Sequence, residues 1–113
     1  LFSSVASKMG MPFHASIAAS KSAVEGLTMS LAAEFATKIR FNAIAPTVTN
    51  TTLAEKLLRN DKMIENIKNK HPYKKYLEPT EVAYLAEYLL SEKSAAISGQ
   101  IFPIDAGIVT VKL

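Results

Sequence analysis

The chain has 113 residues, of which 49% are apolar and 20% charged, a balance typical of one globular region and not of wholesale disorder. It contains no cysteine, which excludes disulfides and thiolate metal sites, and no apolar run near the ~18 residues that a membrane span needs. The net charge of +3 is too small to indicate a nucleic-acid-binding protein.

The amino terminus is an apolar dipeptide, Leu1-Phe2, that continues into two serines without a methionine or the basic start of a signal peptide. This pattern resembles the interior of a protein, so we interpret residues 1–113 as a single region, the C-terminal part of a longer chain. A chain without cysteine suits the reducing cytoplasm. Neither His14 nor His71 lies in a cluster of carboxylates, so no metal site is predicted.

The first third of the chain predicts a strand end, a loop and a long helix. Leu1-Phe2 is interpreted as the end of a buried strand, and Ser3–Phe13, with its serines, glycine and proline, as a loop. Apolar residues then recur at three- and four-residue steps, which predicts a helix over about Ser16–Thr37. Its many alanines favour tight packing on two sides, for example against a sheet and a second subunit; an ordinary buried helix is the alternative.

The middle of the chain predicts a strand, a polar turn and a charged helix. Ile39–Ala45 is predicted as a strand ended by Pro46, and the threonine-rich segment 47–52 as a turn. Leu53–Asn69 is predicted as a helix that ends before His71-Pro72.

The last third predicts a third helix over Thr80–Ser91, with Pro79 at its start, and a final apolar strand over Gln100–Asp105. Strands and helices therefore alternate along the whole chain. This alternation is the pattern of a parallel α/β sheet.

Ser4 and Lys21 are the first candidate site residues. Ser4 follows a predicted strand, and Lys21 lies about one turn inside the long helix. Ligands of open α/β sheets bind at the carboxyl ends of strands, where a hydroxyl can donate to a carbonyl oxygen and a lysine can bind hydroxyls. Two such residues alone also fit a purely structural role.

Four sequence blocks resemble the C-terminal half of the short-chain dehydrogenase/reductase family, in its order and spacing. They are S-S-V-A-S-K-M-G-M-P, A-A-S-K-S-A-V-E-G-L, I-R-F-N-A-I-A-P and I-S-G-Q-I-F-P-I-D-A-G. The resemblance implies a doubly wound, three-layer Rossmann-type α/β fold, incomplete in this chain. It implies an NAD- or NADP-dependent oxidoreductase of carbonyl or alcohol substrates.

The family's catalytic pattern is serine, tyrosine thirteen positions later, and lysine four further on. Ser4 and Lys21 match the serine, which polarises the substrate carbonyl, and the lysine, which binds the nicotinamide ribose. The tyrosine position is Ile17, a side chain without a proton to donate. The chain is thus an atypical member that lacks the catalytic tyrosine.

Three interpretations of this substitution stay open. His14 lies three residues before Ile17 and is a candidate for the missing acid. It is alternatively a loop histidine bonded to the backbone. The protein is otherwise a non-catalytic homologue, a binding or assembly module that keeps the family's packing surfaces.

A second departure follows the predicted middle strand. The family has Pro-Gly where this chain has Pro46-Thr47, and β-branched threonine tolerates positive φ poorly, so the turn or its cofactor contact is expected to differ. Thr49 and Thr51 align with positions that hold the nicotinamide carboxamide in the family. Plain turn chemistry is their alternative explanation.

The family's N-terminal half has no counterpart in this sequence. The glycine-rich turn that binds the dinucleotide pyrophosphate is missing, so the 113 residues alone are expected to be inactive. We expect a homo-oligomer, or association with a complementary N-terminal fragment, because the missing half leaves a strand edge unpaired. Beyond the small-molecule substrate, no nucleic-acid or membrane partner is predicted.

Basic residues concentrate between Thr52 and Tyr76, where seven of them face three acids. In the family this region is variable and influences substrate choice. The basic excess favours an anionic substrate or a cofactor phosphate, or else a solvated helix face. A nucleic-acid surface is a weaker alternative, since no aromatic platform accompanies the charges.

Overall fold

Two short parallel strands form the centre of the fold. The computed structural model describes residues 1–113 without a gap, with β1 at Ala43–Pro46 and β2 at Ile101–Ile104. Phe2 adds a parallel bridge to Ile44, and the Ser3 N–H donates to the Ile44 oxygen at 2.8 Å. The predicted strand end at Leu1-Phe2 therefore pairs with β1, as a parallel α/β sheet requires.

The long helix α1 spans Ala15–Glu34 and packs against β1 and against a 3-10 turn at Val5–Ser7. It ends three residues before the predicted Thr37. Phe35 leaves the helical region with φ −107° and ψ 20°, and its carbonyl accepts from the Lys38 N–H in a turn. The spacing of apolar residues does not predict this change of backbone direction, so the predicted helix extends too far.

Strand β1 is shorter at its start than predicted and includes the proline expected to end it. Ala43 donates to the oxygen of Gln100, which precedes β2, and Thr47, which follows β1, donates to the Ile104 oxygen. Alternate backbone groups of a strand face the same partner, so the N–H groups at odd positions face β2. The nitrogen of Pro46 faces the other side, where the ladder with residues 1–3 has already ended. A missing N–H costs no hydrogen bond at such a position.

The predicted helix Leu53–Asn69 is wrong in its first half. A 3-10 turn at Thr52–Ala54 is followed by irregular turns, and α2 covers only Asp61–Lys70. Asn60 is extended and its Oδ1 accepts from the Met63 N–H at 3.0 Å, which is a helix N-cap. Leu53, the first residue of the predicted helix, is 95% exposed.

The third helix, α3, spans Pro79–Leu90, within one residue of the prediction at each end. Its start combines Pro79 in the first turn with a capping box, in which a Glu81 carboxylate oxygen accepts from the Glu78 N–H at 2.9 Å. At the other end the Arg40 guanidinium donates to the Leu89 oxygen at 2.9 Å. This contact satisfies a carbonyl of the last turn.

The core is thin. Only 14 of 113 residues are buried, and they centre on β1 and the 3-10 turn at Val5–Ser7. Large apolar side chains such as Phe13, Met29 and Leu90 lie exposed. The three helices include none that is both long and apolar enough to cross a membrane.

Candidate functional site

Ser4 begins the 3-10 turn that leads away from the sheet. Its Oγ accepts from the Ala6 N–H at 3.2 Å, which makes it the N-cap of that turn. Accepting this bond uses an oxygen lone pair and leaves the hydroxyl proton available. The half-buried Ser4 can therefore donate to an oxygen of a ligand at the carboxyl end of the sheet.

Lys21 reaches the same end of the sheet from α1. Its ammonium donates to the Phe2 oxygen at 3.1 Å, and the Ser3 hydroxyl lies 3.3 Å from the Lys21 backbone oxygen. An ammonium carries three donors, so two remain beyond the bond to Phe2. The structure thus brings Lys21 beside the segment that carries Ser4.

Ile17 precedes Lys21 by four residues and lies on the same side of α1. Ile17 is 44% exposed, so it is not a core residue. His14 lies directly before the helix, and its Nδ1 is 2.7 Å from the Pro12 oxygen. A carbonyl only accepts, so Nδ1 carries the proton, and Nε2 has no protein partner.

Thr47 and His71 form a buried pair beyond β1. The His71 Nδ1–H donates to the Ile67 oxygen at 2.7 Å, which leaves Nε2 to accept from the Thr47 hydroxyl at 2.8 Å. Both residues are buried, and the φ of Thr47 is not positive. The turn therefore uses ordinary backbone geometry, and the threonine hydroxyl links it to the end of α2. From the sequence, His71 is predicted to follow the end of a helix and is not a candidate site residue.

The other residues predicted for cofactor contact follow in the same segment. Pro46 closes β1, and the Thr49 hydroxyl donates to the Thr47 oxygen at 3.0 Å. Thr51 is exposed and makes no side-chain cap to the turn that follows it. It lies on the wall of an open cleft of about 870 Å³, together with Lys56 and Arg59.

Sequence reasoning missed a buried carboxylate behind the Ser4 turn. Glu25 is 4% exposed, and its Oε1 accepts from the Ser3 hydroxyl at 2.7 Å and from the Ser7 hydroxyl. Its Oε2 lies 2.9 Å from the Lys8 ammonium. Burial raises the pKa of this carboxyl, but the bonds from Ser7, Lys8 and Ser3 together hold the pKa below its ordinary value of 4.5. The only sequence signal was an acidic residue four positions after Lys21.

Comparison with known proteins covers almost the whole chain. The sequence model of a family described as enoyl-(acyl carrier protein) reductase matches residues 1–109. A tropinone reductase homolog from Datura stramonium is 38% identical over 93% of this chain and 41% of its own length. The inactive 2-(S)-hydroxypropyl-CoM dehydrogenase 2 of Xanthobacter autotrophicus is 35% identical over 97% of this chain and 50% of its own length.

The fold also matches a solved structure. 4-Hydroxyisoleucine dehydrogenase complexed with NADH superposes with a TM-score of 0.92 at 35% identity, over 98% of this chain and 46% of that one. The chain thus spans 41% to 50% of the length of these three proteins. The prediction of a partial Rossmann-type fold is confirmed, and the chain belongs to the short-chain dehydrogenase/reductase family.

Proposed function

We propose that this chain is the C-terminal half of an NAD- or NADP-dependent oxidoreductase that acts on a carbonyl or alcohol substrate. The observation that carries the proposal is the contact between Lys21 and the segment preceding Ser4, at the carboxyl end of the sheet. A dehydrogenase with bound NADH among the similar structures supports it. We place the full-length protein in the cytoplasm, which suits a chain without cysteine.

The residues of this chain fit the nicotinamide half of the dinucleotide. Lys21 has two free donors for ribose hydroxyls. The Pro46-Thr47 turn leads to Thr49 and Thr51, which would hold the carboxamide. All three polar groups of Thr47 are bonded within the chain, so its part is to shape this turn. The adenosine half would be bound by the N-terminal half of the full-length protein.

In the proposed reaction the bound nicotinamide would supply the hydride, and this chain supplies the polar groups around the substrate. Ser4 donates its hydroxyl proton as a hydrogen bond to the carbonyl oxygen, where negative charge develops as the carbon is reduced. Lys21 fixes the ribose and places a positive charge near that oxygen. Ile17 contributes apolar surface only.

His14 is our proposed source of the proton that the reduced oxygen takes up. Nδ1 is held by the Pro12 oxygen, which orients the ring and leaves Nε2 free to donate from the protonated imidazole. Its place directly before α1, three positions ahead of Ile17, supports this assignment.

Replacing His14 by alanine in the full-length protein is expected to slow carbonyl reduction by about 10²-fold or more, the usual contribution of a positioned general acid. Added imidazole should restore part of the rate, because the small molecule replaces the missing ring. The measurement is steady-state turnover over a panel of aldehydes and ketones, with and without imidazole.

A matched control is His71→Ala, which removes a histidine that lies beyond β1 and bonds to Thr47 instead. Its rate should not respond to imidazole. If His14→Ala turns over as fast as the wild type, the histidine is not the acid, and solvent water becomes the proton source to test.

A second candidate function is that of a non-catalytic homologue that serves as a binding or assembly module. Ile17 favours it, because this position has no proton donor of its own, and one similar protein is described as inactive. Dinucleotide binding alone does not separate the two candidates, since an inactive homologue can keep that site. Turnover of any carbonyl in the panel by the full-length protein excludes the second candidate.

The exposed area of the chain supports a larger assembly. Its accessible surface is 7745 Å² for a mass of 12.3 kDa, whereas a folded monomer of that mass exposes about 6,100 Å². The excess is about twice the ~800 Å² that one partner contributes to an ordinary interface. We propose that the N-terminal half of the fold covers the open edge beside Phe2, which is 56% exposed. The alternative is that a second copy of the chain packs on the alanine-rich surface of α1.

The isolated 113-residue chain is accordingly expected to be self-associated, or to copurify with a complementary fragment. Light scattering with native mass spectrometry of the dissolved protein distinguishes these two outcomes. A well-folded monomer at low micromolar concentration, with no second peptide present, would contradict the assembly proposal.

A further inference from the structure

Two serines on either side of Ser4 are anchored by the same carboxylate oxygen. Ser3 precedes Ser4 and donates to Glu25 Oε1 at 2.7 Å, and Ser7 follows it by three residues and donates to the same atom. The Ser7 hydroxyl also lies 2.7 Å from the Ser4 backbone oxygen. Anchors before and after Ser4 restrict both the backbone that carries it and the direction of its side chain.

The carboxylate belongs to the helix that also carries Lys21. Glu25 follows Lys21 by one turn of α1, and the Ser3 hydroxyl lies 3.3 Å from the Lys21 backbone oxygen. The two functional side chains come from separate elements, a loop and a helix. Glu25 joins those elements through its carboxylate, in addition to the bond from the Lys21 ammonium to the Phe2 oxygen, so it helps to set the position of one relative to the other.

The charge of Glu25 is unusual for its location. A carboxylate that is 4% exposed loses most of its hydration, and only hydrogen bonds and an opposite charge compensate for that loss. Lys8 supplies the charge at 2.9 Å, and its own side chain is 60% exposed. A well-packed apolar residue would fill the same space without this desolvation cost, but it would leave the hydroxyls of Ser3 and Ser7 without their shared acceptor.

We propose that Glu25 is a positioning residue, which holds the Ser4 hydroxyl in its orientation toward the substrate and fixes it relative to Lys21. The inference rests on the proposed function for the role of Ser4. It adds a residue that touches neither the substrate nor the cofactor and acts only through Ser3 and Ser7.

The test compares Glu25→Met with the wild type in the full-length protein, because methionine keeps the volume and removes both acceptor oxygens. We expect kcat for carbonyl reduction to fall at least tenfold. The Kd for the dinucleotide should change less than threefold, because the substitution leaves Lys21 in place on α1. Glu25→Gln keeps one acceptor oxygen for the serines, so kcat should recover in part. Gln is also the variant to measure if Met does not fold.

Two controls separate positioning from general stability. Lys8→Met removes the ion pair but leaves both serine bonds, so kcat should stay within threefold of the wild type. Glu34→Gln, at the exposed end of α1, should change nothing. A Glu25→Met protein that melts at a lower temperature but keeps the wild-type kcat when folded would overturn the proposal.

A second readout does not depend on turnover. Amide hydrogen exchange of Ala6 and Lys8 should accelerate at least tenfold in Glu25→Met, because the 3-10 turn loses its anchors. Unchanged exchange overturns the proposal whether or not the protein is an enzyme. Accelerated exchange in a protein whose wild type reduces no carbonyl would refute the proposed function alone and leave Glu25 as the anchor of the turn.

Discussion

Lys21→Ala is expected to weaken dinucleotide binding by roughly ten- to a hundredfold in the full-length protein. The substitution removes a charged donor, and hydrogen bonds to charged groups contribute about 1.5–3 kcal/mol. Its ammonium is held by the Phe2 oxygen at 3.1 Å, so it is already oriented before a ligand arrives. Calorimetric titration with the reduced dinucleotide measures the change.

Two further variants make the Lys21 result specific. Lys21→Arg keeps the charge but replaces a compact ammonium by a larger, planar guanidinium. We expect its affinity for the dinucleotide to lie between those of the wild type and Lys21→Ala. Lys38→Ala removes an exposed lysine just beyond α1 and should have no effect. Wild-type affinity in Lys21→Ala would remove this residue from the cofactor site.

Where local chemistry decides a boundary, the sequence was sufficient. The start of α3 is marked by Pro79 and by the capping box between Glu78 and Glu81, and the prediction was correct to one residue. The parallel pairing of β1 and β2 followed from the alternation of strands and helices. The first signal lies within a few residues of the helix start that it predicts, whereas the second is a pattern of the whole chain.

The second helix shows the limit of periodicity. Leu53, Leu57 and Leu58 fit a helical pattern with the residues of α2. The α-helix nevertheless begins only at Asp61, after Asn60 caps its first turn. Asparagine favours a cap because its side chain competes for backbone N–H groups. The apolar spacing alone therefore places the start of the helix eight residues too early.

The candidate site also contains residues that the sequence identifies and contacts that it does not predict. The register of Ser4, Ile17 and Lys21 follows from the resemblance, and the structure brings Lys21 beside the segment that precedes Ser4, with Ile17 four residues earlier on α1. The bonds that the Ser3 hydroxyl donates to Glu25 and the Thr47 hydroxyl donates to His71 join residues more than twenty positions apart. No local pattern predicts them, since each depends on how distant segments of the chain come together in the fold.

Ile17→Tyr is expected to create or raise carbonyl reduction, if a missing proton donor is all that limits the protein. A positioned general acid contributes about 10²- to 10⁴-fold, which sets the size of the gain where His14 does not already supply the proton, as in a His14→Ala background. Ile17 is 44% exposed on α1, and isoleucine and tyrosine have similar helix propensities, so the larger ring displaces no core and does not unwind the helix. Lys21, one turn later on the same side, would lower the pKa of the new phenol by its charge.

The matched control is Ile17→Phe, which adds the same ring without the hydroxyl. A gain seen in Tyr but not in Phe assigns the effect to proton donation, whereas an equal gain in both assigns it to substrate packing. The double variant, Ile17→Tyr with His14→Ala, tests whether either side chain alone can supply the proton. If tyrosine replaces histidine, the double variant should be as fast as Ile17→Tyr alone, because only one proton is needed per turnover. No gain from Ile17→Tyr in a folded, dinucleotide-binding protein would show that the substitution at position 17 is not what limits the reaction.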